Sequence, residues 1–276
     1  MVKYFCVSDI HSYYNELMVA LDDKNFDIND RNHKLIVCGD AFDRGPDSIK
    51  VFELMKKLHK ESRLIYIKGN HEDLIKECVR ELATTGNVGG HHYSNGTLKT
   101  LSHFIEEDDY WLYSTYIPTN IIKSIIDSTK ELFEFIDNVS TNYFKLGDKI
   151  FVHSWIPNDL ILDYNYDDNL SEEENLENKL KYEINWRSAR WGNPFEQAKL
   201  KFYPKDKCIV FGHWHTSWYW SHIKMERKEW PQKNQKNWIK SFDPVIEKTI
   251  IGLDSCVAYS GKLNCIVFNE SGEIIS

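Results

Sequence analysis

Five short polar motifs recur along this chain, nearly every one directly after a short apolar run. They are Asp-Ile-His at 9–11, Gly-Asp-Ala-Phe-Asp-Arg-Gly at 39–45, Gly-Asn-His-Glu at 69–72, Val-His-Ser at 152–154 and Gly-His-Trp-His at 212–215. The runs are rich in β-branched and aromatic residues, which is typical of strands buried on both faces of a sheet. Because the carboxyl ends of such strands lie along one edge, we expect the five motifs to meet at one site.

The segments between these strands predict helices, so the fold class is α/β. Helical periodicity begins after the first motif, at 12–21, and again after Asp47, a plausible N-cap. A mostly helical block at about 74–140 is predicted to be an insertion that flanks the sheet. A hairpin follows at 143–152, and two strands surround a Ser260-Gly261 turn near the end. With no repeat and no Pro/Ser-rich linker, we expect one domain over 1–276.

Two segments are predicted to be variable loops, at about 158–183 and about 219–245. The first is acidic and asparagine-rich, which favours a solvated loop or an exposed helix. The second carries lysines, Arg227 and three tryptophans over 219–240, diluted by two glutamates. This composition favours a surface loop. Its position just after His213 and His215 also makes it a candidate for a rim that contacts substrate.

The composition excludes several classes of protein. A net charge of −8 argues against a general nucleic-acid binder, and no sequence-specific nucleic-acid partner is predicted. No apolar stretch approaches the roughly 18 residues of a membrane span, and the chain begins with a predicted strand and no secretory signal. The six cysteines are scattered without a Cys-x-x-Cys pair. We expect them to be reduced core residues of a cytoplasmic enzyme.

The polar motifs supply oxygen and nitrogen ligands without cysteine, a set that suits Mn²⁺, Fe or Zn²⁺. Asp9 and His11 lie two residues apart at the end of a strand and can bind the same metal ion. Asp40 can bridge two metal ions. Neutral Asn70 keeps the site cationic enough to attract a phosphate dianion. The complete predicted ligand set is Asp9, His11, Asp40, Asn70, His153, His213 and His215.

Two cations about 3.5–4 Å apart would acidify a bridging water and hold phosphate oxygens for in-line displacement. Arg44 offers a planar fork of donors for phosphate, and Arg187 or Arg190 is a candidate for a second fork. His71 is the predicted general acid for the leaving alkoxide. Asp43 would orient its imidazole and raise its pKa. For Asp254, a hydrogen-bonding role beside the ligands is favoured over ligation.

These motifs resemble the calcineurin-like metallophosphoesterase superfamily. Within it, the Arg after Asp43 and the Glu after His71 are most similar to the phosphoprotein phosphatase branch, which contains bacteriophage-type protein phosphatases and symmetrical diadenosine tetraphosphatases. The resemblance covers Val7 to about Phe268. It implies a four-layer α/β/β/α sandwich with the dinuclear site where both sheets present loops. It also implies hydrolysis of phosphomonoesters or pyrophosphates with Mn²⁺ or an iron-containing pair.

The sequence departs from this branch in two places that bear on substrate binding. Lys68 stands where arginine is usual, so a bidentate phosphate contact would become a point charge. The Gly-His-x-His motif is more typical of the wider superfamily. The resemblance implies a serine/threonine phosphoprotein phosphatase. Asn70 and Lys68 are included among its predicted substrate contacts. The alternative is a symmetrical bis(5'-nucleosyl)-tetraphosphatase or another nucleotide phosphohydrolase, which the aromatic cluster at 214–220 leaves open.

Overall fold

Two five-stranded sheets organise the part of the chain that the structure describes. The computed structural model describes residues 1–107, 109–114, 116–200, 204–224 and 241–276. The strand orders are β10-β1-β2-β3-β4 in the first sheet and β5-β6-β7-β9-β8 in the second. The strands are β1 (Lys3–Val7), β2 (His33–Cys38), β3 (Leu64–Ile67), β4 (Ser140–Thr141), β5 (Phe144–Leu146), β6 (Lys149–Phe151), β7 (Cys208–Phe211), β8 (Val245–Ile246), β9 (Ile250–Gly252) and β10 (Ile266–Phe268).

Helices connect the strands and cover the outer faces of the sheets. They are α1 (Tyr14–Asp22), α2 (Ser48–Lys60), α3 (Asn70–Thr85), α4 (Gly90–Ser94), α5 (Thr97–Ser102), α6 (Thr119–Ser128), α7 (Lys130–Val139), α8 (Glu172–Arg190), α9 (Pro194–Lys199), α10 (Thr216–Tyr219) and α11 (Val257–Ser260). Short helical turns also form at Asp109–Tyr113 and Trp220–Lys224. The predicted insertion at about 74–140 therefore corresponds to α3 through α7.

The alternation of side chains along the strands produces four layers. Successive strand residues point to opposite faces, so Phe5 packs on the helical side of the first sheet while Cys6 packs between the sheets. In the second sheet, Phe151 and Val210 point inward to the same layer, and Ile209 packs outward against α8 and α9. The predicted four-layer α/β/β/α sandwich is confirmed.

Parallel pairing places the five motifs at two adjoining edges. Strands β1, β2 and β3 run parallel, and so do β6, β7 and β9. Each polar motif follows the carboxyl end of its strand, and the sheets pack face to face. The loops after β1, β2 and β3 therefore meet the loops after β6 and β7.

Several local predictions have outcomes in the structure. The acidic segment contains the first part of α8, a helix that begins with a capping box between Ser171 and Glu174 and carries mostly exposed side chains. The two closing strands do not form a hairpin, because β9 lies in the second sheet and β10 in the first. Most of the basic, tryptophan-rich segment, at 225–240, lies outside the described residues. The single domain over 1–276 stays a prediction.

All six cysteines are free thiols, and five of them are buried, as expected for core residues. None of the helices in the described ranges combines the length and the apolar character needed to cross a bilayer.

Candidate metal centre

Sharp turns of the backbone aim the motif side chains into the edge of the sandwich. Asp9, His11, Asp40 and His213 all adopt positive φ, between 48° and 63°. This left-handed conformation costs a non-glycine residue of order 1–3 kcal/mol and is concentrated at functional sites. Neighbouring glycines make room for them, since a Cβ on Gly212 would lie 2.0 Å from Asp9 Oδ2.

Four potential ligand atoms converge at the strand ends of both sheets. His153 Nδ1 donates to the carbonyl oxygen of Cys38 at 2.9 Å, which leaves the Nε2 lone pair free to bind a cation. That Nε2 lies 2.7 Å from Asn70 Oδ1, 3.2 Å from His213 Nδ1 and 3.4 Å from Asp40 Oδ1. The lone pairs of these four atoms repel one another unless a proton or a cation lies between them.

A second group of ligand atoms surrounds the other oxygen of Asp40. His11 Nδ1 donates to Phe42 O at 3.0 Å, and its Nε2 lies 3.9 Å from Asp40 Oδ2. His71 Nε2 lies 3.8 Å from the same oxygen, and the three ligand atoms are within 4.8 Å of one another. Asp9 is buried beside this group, where its Oδ2 accepts from His213 N at 2.9 Å. Asp40 therefore contacts both groups.

The electrostatics of these side chains fit a bound cation. Burial, followed by Asp254 and Asp40, raises the pKa of Asp9 well above its usual range. Burial, together with neighbouring positive groups, lowers the pKa of His11, and burial with His153 lowers the pKa of His213 to about 3. His11 and His213 are thus neutral at pH 7, with lone pairs available, and positive charge nearby would stabilise the ionised form of Asp9.

Beside the ligand cluster, Asp43, His71 and Arg44 form a hydrogen-bonded chain. His71 Nδ1 donates to Asp43 Oδ2 at 2.7 Å, and Arg44 Nη2 lies 3.2 Å from His71 Nε2. Thr97 Oγ1 donates to the same Asp43 oxygen at 3.0 Å. Burial lowers the pKa of His71, but Asp40 and Asp43 outweigh burial, so that its pKa lies above the usual value.

Glu72 holds the loop after β2 against the start of α3. It is fully buried, and its Oε2 accepts from Gly69 N at 2.6 Å and from Asp40 N at 3.0 Å. Its Oε1 accepts from Ala41 N at 2.9 Å. A Cβ on Gly69 would lie 2.1 Å from Asp40 Oδ1, so the close approach requires glycine. In the sequence, Glu72 was used only as a mark of the family resemblance. Its binding of these backbone N–H groups was not predicted.

The ligand cluster opens into a cavity of about 480 Å³. Asp254 lines it and accepts from Cys256 N at 2.7 Å, and its Oδ2 lies 3.8 Å from His215 Nε2. His215 itself is 44% exposed, so it lies at the mouth of the cavity and not in its buried interior. The far wall is largely aromatic, and the lining residues that sequence reasoning did not assign are Asn95, Trp191, Ser217, Ser221 and His222.

The structure does not bring three predicted substrate contacts to this cavity. Arg190 pairs with Asp73 at 2.8 Å, and the exposed Arg187 pairs with Glu77 at 3.0 Å. Lys68 lines a different surface depression and lies 3.8 Å from Asp137. Acidic partners on neighbouring elements engage all three, which no local sequence pattern reveals.

The potential ligands lie on loops at one edge of both sheets, which form a rigid scaffold for them. Such a cluster of carboxylate, imidazole and amide groups is the kind of site expected of a metal-dependent hydrolase. Residues 2–217 match the family model described as calcineurin-like phosphoesterase, and the chain belongs to this family. The family model is that of a phosphoesterase, and the family generally binds two divalent metal ions. The predicted family is confirmed.

Several relatives by sequence are named bis(5'-nucleosyl)-tetraphosphatases. The asymmetrical bis(5'-nucleosyl)-tetraphosphatase PrpE of Anoxybacillus flavithermus is 24% identical over 218 residues, which cover 76% of this chain and 78% of that protein. The symmetrical enzyme of Wigglesworthia glossinidia brevipalpis is 37% identical over 71 residues, which cover 26% of this chain and 25% of the relative. Matches of this shorter kind span only about a quarter to a third of the relatives they match.

Among solved structures, a cold-active protein tyrosine phosphatase superposes with a TM-score of 0.51 at 15% identity. The superposition covers 99% of this chain and 78% of that one. At this identity the likeness establishes the shared fold alone.

Proposed function

We propose that the chain hydrolyses phosphate esters or anhydrides with two cations held on either side of Asp40. The convergence of His153 Nε2, His213 Nδ1 and Asn70 Oδ1 on Asp40 carries this proposal. These residues would hold one cation, and Asp9, His11 and Asp40 would hold the other, with His215 completing the set from the mouth. The bound cations would polarise phosphate oxygens and lower the pKa of a water.

The chain's own residues handle the phosphate and the leaving group. Arg44 lines the cavity beside the cluster, where its guanidinium can bind a phosphate oxygen. His71 would donate its proton to the leaving oxygen, and Asp43 holds the imidazole in the orientation that this needs. His71 also lies near Asp40, but its two ring nitrogens already face Asp43 and Arg44. The contact with Asp43, which raises the pKa of His71, supports a role as general acid over a role as ligand.

For the substrate, we infer a dinucleoside polyphosphate or a related nucleotide. Trp191, Trp214 and Trp218 line the cavity. Trp218 already stacks with His222, at a centroid distance of 4.7 Å, and with Phe195, at 6.0 Å, so Trp191 and Trp214 are the side chains left for a base. Flat aromatic walls beside a phosphate site suit a nucleobase, and each base–aromatic stack is worth about 1–3 kcal/mol. The named relatives support the same class of substrate. This inference reverses the order of the two substrates expected from the sequence.

One observation favours the second candidate, a phosphoprotein. Among the described residues that line the cavity, Arg44 is the only lysine or arginine. A single guanidinium with two cations balances a phosphomonoester dianion more easily than a tetraphosphate chain, which carries more negative charge.

Turnover of diadenosine tetraphosphate against a phosphoserine peptide without aromatic residues, with Mn²⁺-loaded protein, separates the two. We expect kcat/KM to be at least about 5-fold higher for the dinucleotide, as loss of one stack predicts. A tenfold preference for the peptide would reject the nucleotide proposal and leave the hydrolase intact.

The aromatic wall has a direct test in Trp191, which is 46% exposed and therefore tolerant of replacement. Trp191→Ala should raise KM for diadenosine tetraphosphate by about 5–150-fold, the loss of one stack, and leave the peptide unchanged. Tyr113→Ala removes an exposed aromatic side chain outside the cavity and serves as the matched control. Equal effects of both variants on the dinucleotide would contradict stacking at this wall.

A further inference from the structure

His92 is an unexplained buried polar group outside the candidate metal centre. Its side chain is fully buried, and neither ring nitrogen has a hydrogen-bond partner among the described residues. Leaving a buried polar atom unpaired costs of order 1–3 kcal/mol. An apolar residue would avoid this cost, so a histidine at this position suggests that the imidazole binds a ligand.

Two further ligand side chains face this imidazole. Glu81 Oε2 lies 3.5 Å from His92 Nε2, and the His91 ring packs on the His92 ring with centroids 4.0 Å apart. One ligand atom from each of the three side chains lies within 4.8 Å of the other two. Ligands around a tetrahedral zinc ion are about 3.4 Å apart, given Zn–N and Zn–O distances near 2.0–2.1 Å. Only small side-chain movements are therefore needed.

The backbone around the cluster is arranged to bring these ligands together. Gly86 ends α3 in the left-handed conformation, which turns the chain back toward the helix. Gly89 N then donates to Glu81 Oε2 at 2.8 Å and fixes that carboxylate. A Cβ on Gly89 would lie 2.7 Å from His91 Nδ1, so this ring also depends on glycine.

We propose that Glu81, His91 and His92 form a third metal site, selective for Zn²⁺ or a similar borderline cation. Two imidazoles and one carboxylate are a known zinc ligand set, and the exposed His91 leaves a fourth position open to water. The cation would bind one of the two ring nitrogens of His92 that lack a hydrogen bond. None of the three side chains lines the catalytic cavity, so this site is separate from the candidate metal centre.

The proposed site would fix a segment that contacts the catalytic residues. From α4 the chain continues to Asn95, which lines the cavity, and to Thr97, which donates to Asp43. Between them, a Cβ on Gly96 would lie 2.6 Å from Arg44 N, so the segment packs directly on that backbone. A cation joining α3 to α4 would hold this segment in register with Asp43 and Arg44.

Zinc stoichiometry tests the proposal independently of any activity. The full-length protein is saturated with Zn²⁺, passed through a desalting column, and its zinc is measured per chain by elemental analysis. His91→Gln and Glu81→Gln each change one ligand at an exposed or half-buried position, and Gln at 81 can still accept from Gly89 N. His59→Gln, at an exposed histidine on α2, is the matched control.

We expect both ligand variants to hold one zinc ion fewer than the wild type, and the control to hold the wild-type number. In competition with a chromophoric chelator, the affinity of that one ion should fall at least about 10-fold. Ions in the catalytic cavity contribute equally to all four proteins. The difference in zinc content between them therefore does not depend on whether that cavity binds zinc. If either ligand variant retains the wild-type zinc content and affinity, the proposed ligand set is wrong.

Discussion

Replacing Glu72 by Gln should destabilise the protein far more than the same change at a partly exposed position on the same helix. Glu72 accepts three backbone N–H groups, from Gly69, Asp40 and Ala41, at 2.6–3.0 Å. Gln can keep its oxygen toward Gly69 and Asp40, but its amide group then faces the N–H of Ala41. One charge-assisted bond is lost, at about 1.5–3 kcal/mol, and two others become weaker neutral bonds.

An opposing effect reduces this loss. Burial, followed by the nearby Asp40, raises the pKa of Glu72, so removing its charge relieves some repulsion. We therefore expect a net decrease in the free energy of unfolding of about 2–3 kcal/mol. Since 1 kcal/mol shifts Tm by about 2–4 °C in a chain of 150–250 residues, Tm should fall by about 4–12 °C.

Urea unfolding of metal-free protein, followed by tryptophan fluorescence, measures this loss without a contribution from metal binding. Glu77→Gln is the matched control, because Glu77 lies on α3 and pairs with Arg187, whose side chain is 56% exposed. Such a surface pair contributes about 0–1 kcal/mol. If Glu72→Gln destabilises no more than Glu77→Gln, the three backbone contacts do not stabilise the loop and the reasoning is refuted.

Three further predictions concern the residues beside the ligand cluster. His71→Asn should lower kcat by about 10²–10⁴ with little change in circular dichroism, and an unchanged kcat would reject the role of general acid. Asp43→Asn removes a carboxylate that raises the pKa of His71, so the fall of kcat at alkaline pH should move to lower pH; a pH profile with the alkaline limb unmoved would contradict this. Arg44→Ala should mainly raise KM and the inhibition constant of inorganic phosphate, and unchanged values of both would exclude phosphate binding by Arg44.

The ligand cluster was readable from the sequence because its parts are local. A buried strand leaves its side-chain pattern in consecutive residues, and the residues directly after the strand must lie at the edge of the sheet. Asp9, Asp40, Asn70, His153 and His213 were therefore assigned to one site without knowing the order of the strands, and the structure brings them together. The family resemblance added the four layers.

Contacts between distant segments could not be read in this way. Either Arg187 or Arg190 was expected to contact the phosphate, but carboxylates on α3 engage both of them. Which arginine pairs with which carboxylate depends on how α8 packs near α3, and the sequence of neither helix alone contains that information. The two strands on either side of the Ser260-Gly261 turn were predicted, but not that they enter different sheets.

The sequence by itself determined the strands, the chemistry at their ends and thus the class of reaction. Local periodicity and ligand type suffice for these, because each is a property of a few neighbouring residues. Only the tertiary structure decided the aromatic wall of the cavity, the buried position of His92 beside Glu81, and the backbone contacts of Glu72. Those features arise when segments far apart in the chain pack together, and burial is a property of the packed whole.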